Sequence, residues 1–108
     1  MKRLFTCLLG CFCAAQLAAE PNFDYGLRAE QVADGVYVFI GRDEDFTTVN
    51  GGNIVNTGFI VTSAGLVVID SGPSLRYGQQ MQQAMSKISP AALLQVFNTH
   101  HHPDHFLG

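Results

Sequence analysis

The last ten residues, Thr99-His100-His101-His102-Pro103-Asp104-His105-Phe106-Leu107-Gly108, constrain this chain more than any other stretch. All four histidines of the protein lie between positions 100 and 105, with an aspartate between the third and the fourth. Neutral imidazole and carboxylate are preferred ligands of zinc and similar divalent ions, and a binuclear hydrolytic site needs about four to seven of them converging. Where a chain leaves a strand in extended form at Thr99, residues two apart share a side. His100, His102 and Asp104 then point one way and His101 the other. Pro103 fixes one backbone angle, and Asp104 is suited to cap a following helix that carries His105 on its first turn. Two ligand pairs result, His100 with His102 and Asp104 with His105. A solvated, tag-like histidine tract also binds metal weakly, but this run is interrupted by Pro103 and Asp104 and sits where a strand should end.

The preceding sequence supplies that strand. Leu27 to Val32 and Val36 to Ile40 flank Asp34-Gly35, a strong hairpin signal. Val36, Val38 and Ile40 alternate with Tyr37 and Phe39, so both faces of this strand are apolar and cover is expected on both. Gly41 to Asn53 is polar and glycine-rich and reads as a loop. Its acidic cluster, Asp43, Glu44 and Asp45, is poor geometry for a cation on a flexible loop. Ile54 to Thr62 and Leu66 to Asp70 form a second strand pair around Ser63-Ala64-Gly65, and the unbroken run Leu66-Val67-Val68-Ile69 suits a strand buried on both faces. Ser74 is placed to cap a helix over 74–88 whose apolar stripe is Gly78, Met81, Met85 and Ile88, with glutamines on the other side. The methionines read as core packing. Leu93 to Asn98 then reads as a buried strand, giving a β-α-β unit with a parallel pair. The histidine loop therefore leaves the carboxyl end of a parallel strand, where ligand sites in such sheets lie. The fold class is α/β (α+β).

The N-terminus has the form of an export signal. Lys2 and Arg3 precede an apolar run from Leu4 to Leu17, and Ala18-Ala19 offers a cleavage site, so residues 1–19 are read as a signal peptide and 20–108 as the mature portion. A membrane anchor needs about 18–20 apolar residues, and this run is shorter and followed by Glu20-Pro21. Leu8-Leu9-Gly10-Cys11 resembles a lipoprotein box, but the apolar stretch before Cys11 is only about seven residues. Cys7, Cys11 and Cys13 all fall inside the signal, which leaves the mature portion without a disulfide framework. From residue 20 onward four basic residues stand against nine acidic ones, a net charge of −5. That balance argues against a nucleic-acid partner. With 47% hydrophobic and 14% charged residues the composition is that of a globular domain.

The pattern Thr-His-x-His-x-Asp-His-x-x-Gly from Thr99 to Gly108 resembles the signature of the metallo-β-lactamase superfamily. The resemblance implies that His100 and His102 hold one metal and that Asp104 and His105 hold a second, with His101 and Pro103 at variable positions. The histidine at position 105 is similar to the glyoxalase-II-like and broad hydrolase branches, or to the minor β-lactamase subclass that shares it. The stretches 34–38, 56–61, 68–72 and 98–105 also resemble the exported zinc metallohydrolases associated with bacterial quinoprotein dehydrogenase systems. The implied fold is a two-sheet αββα sandwich of roughly 200–250 residues as a single domain, of which this chain would be the N-terminal half. A third histidine for the first metal, a bridging carboxylate and a last histidine for the second would lie beyond Gly108. Val-Ile-Asp-Ser-Gly resembles the family's strand ending in Asp-x-Gly. That likeness implies that Asp70 orients the metal loop without touching the metal, the alternative being a plain turn or cap residue. A carboxylate at the end of a buried strand needs such a partner. Phe46 would belong to a loop overhanging the metals, or else to a solvated connection.

The implied activity is exported metal-dependent hydrolysis. Two zinc ions per complete domain, with iron or manganese as alternatives, would activate a bridging water that attacks an ester, thioester, lactam or similar bond, with Asp104 doubling as proton acceptor. The expected partner is a small-molecule substrate. No nucleic acid is expected, nor any membrane after signal cleavage, and the location is periplasmic or secreted. Two other readings stay open, an iron-dependent sulfur dioxygenase of the same superfamily and a non-catalytic, truncated metal-binding product. Residues 20–108 by themselves are expected to be unstable and inactive, because half a sandwich exposes its inner faces.

Overall fold

The computed structural model of the chain describes residues 23–108, so the signal peptide, its cleavage site, the three cysteines and the lipoprotein-like box lie outside the described residues. Five strands form one mixed sheet in sequential order. They are β1 (Glu30–Ala33), β2 (Val36–Phe39), β3 (Thr57–Val61), β4 (Leu66–Ile69) and β5 (Leu93–Phe97), with helix α1 (Leu75–Ser86) between β4 and β5 and a single helical turn, α2 (Pro103–Phe106), after β5. β1 to β4 are antiparallel neighbours, and β4 pairs with β5 in parallel. This is an α+β fold with the β-α-β unit where the sequence places it.

Local chemistry explains the joints. Asp34-Gly35 closes the first hairpin, with Gly35 at φ 69, in the left-handed region that glycine enters without steric cost, and the pairing register shifts between Gln31 and Ala33. Thr62 closes the second, its hydroxyl accepting from the Gly65 and Ala64 amides at 3.1 and 3.2 Å. Ser74 caps α1, its hydroxyl accepting from the Tyr77 amide at 3.1 Å. β1 is shorter than expected and wholly exposed. Leu27, assigned to it from the sequence, instead packs outside the strand against the core.

The core lies on one face of the sheet. Phe39, Phe59, Leu66 and Val68 meet Tyr77, Met81 and Met85 of α1, and Tyr37 stacks on Phe59 with ring centroids 4.9 Å apart. The unbroken apolar run of β4 is therefore covered on one side only, and its burial alternates. β2 is likewise closed on its aromatic face, with Ile40 just beyond it left exposed. β5 departs furthest from expectation, since all five of its residues are exposed. It is the edge of the described sheet, and α1 reaches the face above β4 more than the strand beyond it.

The stripe of α1 keeps Met81 and Met85 as expected and differs at its two ends. Tyr77 takes the inward position expected for Gly78, and Ile88 lies past the end of the helix, exposed. Gly78 instead backs onto Gly108, whose backbone a Cβ at position 78 would meet at 2.6 Å. Tyr77 is fully buried, and its phenol shares a hydrogen with the Thr57 hydroxyl at 2.9 Å. Burial pushes that phenol up from 10.0 to about 12, against the smaller opposing pull of Thr57. The folded state thus favours neutral Tyr77. Its contribution is intact below pH 10, and the linkage weakens folding as pH rises from 10 towards 12.

Tyr77→Phe in the protein carrying this chain should cost about 1–2 kcal/mol in denaturant unfolding near neutral pH, by leaving the Thr57 hydroxyl unpaired. The same substitution should flatten the loss of stability above pH 10. An unchanged alkaline limb in the variant would place that titration elsewhere.

Candidate metal centre

The histidine loop is held by one carboxylate. Asp70, 2% exposed, follows β4 and has φ 58, a left-handed conformation that costs a non-glycine residue about 1 kcal/mol or more. Its amide donates to the Phe97 carbonyl of β5 at 2.8 Å, which ties the ends of the two parallel strands together. Its Oδ1 accepts the Thr99 amide at 2.7 Å, and its Oδ2 accepts both the Thr99 hydroxyl and His105 Nδ1 at 2.8 Å. Burial alone would raise the Asp70 pKa, but the Thr99 amide, the His105 ring and the Thr99 hydroxyl outweigh it and hold the carboxyl below its usual range. The carboxylate is thus kept ionised as an acceptor.

These contacts fix two imidazole tautomers. An ionised carboxylate only accepts, so His105 Nδ1 carries the hydrogen and its Nε2 keeps a lone pair in the neutral ring. Thr99 has one hydroxyl hydrogen and gives it to Asp70. Its oxygen can therefore only accept from His100 Nδ1, 2.9 Å away. His100 Nε2 is then also the bare nitrogen. This is the state in which a metal-binding histidine is held by its surroundings.

The rest of the loop is clamped from below. The Ser71 amide donates to the His105 carbonyl at 2.8 Å, the Leu107 amide to the Gly72 carbonyl at 3.0 Å, and Gly72 bridges to Phe106. Gly72, at φ 91, lies against the Tyr77 ring where no side chain fits, and Gly108 presses on the Ser71 carbonyl. The final glycine of the motif is there because backbone meets backbone. α2 begins two residues earlier than expected. His102 is its N-cap and Pro103 its first residue, while Asp104 lies inside the first turn. Proline suits that first position because its φ is preset and its missing N–H is not needed there.

His100 lies against both His102 and His105, with ring centroids 4.6 and 3.9 Å apart, and Asp104 Oδ2 is 3.7 Å from His105 Nε2. The four expected ligands are therefore neighbours, with His100 central instead of two separate pairs. His101 does not turn fully away, since its ring is 5.3 Å from that of His102. Among the described residues no group of three or more His, Cys, Asp or Glu side chains is placed so as to hold a metal ion. By residue type the set, imidazoles beside a carboxylate, is nonetheless one that divalent metal ions accept.

The loop between β2 and β3 is more ordered than its composition suggests. Asn50, 1% exposed, accepts the Thr47 and Gly52 amides on Oδ1 and donates from Nδ2 to the Asp45 carbonyl and Glu44. Phe46 packs over Gly52 and lines an apolar groove with Phe23, Tyr25 and Leu75 whose lining includes none of the histidines.

The model of the metallo-beta-lactamase superfamily matches residues 50–108. The crystal structure of DIM-1 metallo-beta-lactamase exposed to ceftazidime is similar in fold, with a TM-score of 0.55 and 23% identity over 73% of this chain and 35% of that one. The present chain thus spans about a third of the length of that structure. No curated protein sequence matches it.

Proposed function

The chain belongs to the metallo-beta-lactamase superfamily, and on that basis we propose that it forms the N-terminal part of an exported, zinc-dependent hydrolase acting on an ester, thioester, lactam or similar bond of a small molecule. The observation that supports this reading best is the Asp70–Thr99 network, which leaves Nε2 bare on His105, beside Asp104, and on His100, whose ring lies against that of His105. In this reading His100 and His102 bind the first metal, and Asp104 and His105 the second. A bound divalent ion would supply hydroxide at neutral pH and polarise the scissile group. The chain's own residues do the rest. Asp70 and Thr99 keep the imidazoles in one tautomer and one orientation, Pro103 and the Gly72 contacts fix the loop's path, and Asp104 accepts a proton at its carboxylate. Export rests on the leader, with Glu20 as the first residue of the mature protein.

Zinc affinity of the protein carrying this chain, measured by competition with a chromogenic chelator, should fall about 10–100-fold in Asp70→Asn, which keeps the shape but removes the charge that orients His105. His100→Ala and His105→Ala should each abolish stoichiometric binding at the corresponding metal. Equal zinc affinity in wild type and Asp70→Asn would show that the carboxylate has no part in the centre.

Hydrolysis of an activated ester or a β-lactam should vanish with chelator and return with zinc. The N-terminal sequence of the exported product should begin at Glu20. Turnover that survives complete metal removal would overturn the metal-dependent reading, and a mature product that retains residues 1–19 would overturn the export reading.

A further inference from the structure

A second site lies away from the histidine loop. Residues 23–108 carry four Lys and Arg side chains against eight Asp and Glu, yet three of those four cations line one cavity of about 720 Å³, accompanied by a single carboxylate, Asp24. One wall is the outer face of α1, with Arg76, Gln80, Gln83 and the C-cap residue Lys87 spaced along it. The other is the segment before β1, carrying Arg28.

This second wall is fixed. Arg76 Nε and Gln80 Nε2 each donate to the Phe23 carbonyl at 2.7 Å, and Gln80 Oε1 accepts the Tyr25 amide at 2.9 Å. Asp24 is engaged in the same segment, its Oδ1 accepting the Gly26 amide at 2.9 Å. Packing accounts for two of the cations. Arg76 anchors the segment, and Lys87 sits at the carbonyl end of α1, where a positive charge offsets the helix dipole. Arg28 has neither task. It stands exposed on the facing wall and makes no ion pair among the described residues. Like charges gathered across a cavity in an otherwise acidic protein raise the local concentration of anions, and guanidinium groups match phosphate and carboxylate oxygens in particular.

We propose that the cavity between Arg28 and the Arg76–Lys87 face of α1 binds a multiply charged anion of the phosphate or carboxylate class. Its volume falls within the range of small-molecule sites. The site shares no residue with the metal loop, so its occupancy does not depend on the metal reading.

The test is titration of the intact protein with pyrophosphate and with citrate at low ionic strength by calorimetry, alongside flotation with vesicles of phosphatidylglycerol or of phosphatidylcholine. Arg28→Gln and Lys87→Gln should each weaken binding about two- to fivefold, and together about tenfold. Both side chains are exposed, so the fold should persist by circular dichroism. Arg42→Gln is the control. It removes the same charge at the fourth cation, which pairs with Glu44 at 3.7 Å in the β2–β3 loop, and should leave affinity unchanged. Binding of phosphatidylglycerol vesicles but of neither pyrophosphate nor citrate would overturn the proposal in favour of a singly charged lipid phosphate. No binding to either probe, or equal weakening by Arg42→Gln, would overturn the proposal.

Discussion

The buried carboxylate of Asp70 is the constraint on which the rest of the structure depends. It lies where β4 ends, joins β5 through its amide, and accepts three hydrogens from the loop that follows β5. A buried charge without partners would be costly, so the strand pair and the histidine loop have to be built together. The left-handed backbone at Asp70 belongs to the same solution, because it turns the chain under the loop instead of onward along the sheet. Geometry and protonation are settled by one group, since the acceptor that positions Thr99 and His105 also dictates which imidazole nitrogens carry hydrogen.

Helix α1 serves this arrangement indirectly. Tyr77, Met81 and Met85 cover one face of the sheet, and the turn before the helix is packed so tightly on Tyr77 that position 72 admits only glycine. The histidine loop rests on that turn through Gly72, Ser71 and Gly108. The whole of β5 remains uncovered within residues 23–108, and the opposite side of β2 to β4 is only half-buried. Leu93, Leu94, Val96 and Phe97 are 40–58% exposed, more apolar surface than a strand in water ordinarily shows.

Much of the architecture could be read from local signals. Asp34-Gly35 specified a hairpin, Ser74 a helix cap, and the spacing of apolar runs a parallel β-α-β unit. Each of these depends on residues a few positions apart. What escaped depends on distant contacts. Tyr77 and Gly78 both continue a helical stripe through Met81 and Met85, and the choice between them is made by Gly108, thirty positions away. The apolar run of β4 indicated burial but not how many faces would be covered. Asn50 looked like an ordinary loop residue, and its burial follows from a loop closing around it. In the histidine loop the candidate ligands were evident from residue type, whereas Thr99, whose hydroxyl relays the Asp70 constraint to His100, stood in the motif without an assigned task. Proline at 103 displaced the helix start from Asp104 to His102, a preference that the sequence contained and that the apparent cap at Asp104 obscured.

The central claim is that Asp70 and Thr99 preset His100 and His105 for metal through Nε2. Long-range proton–nitrogen correlation NMR of the histidine rings reads this directly, in the metal-free protein carrying this chain and after addition of zinc. The account predicts Nδ1-protonated rings for His100 and His105 without metal, and a zinc-dependent shift at their Nε2 nitrogens. Nε2-protonated tautomers in these two rings, or Nε2 signals indifferent to zinc, would contradict it.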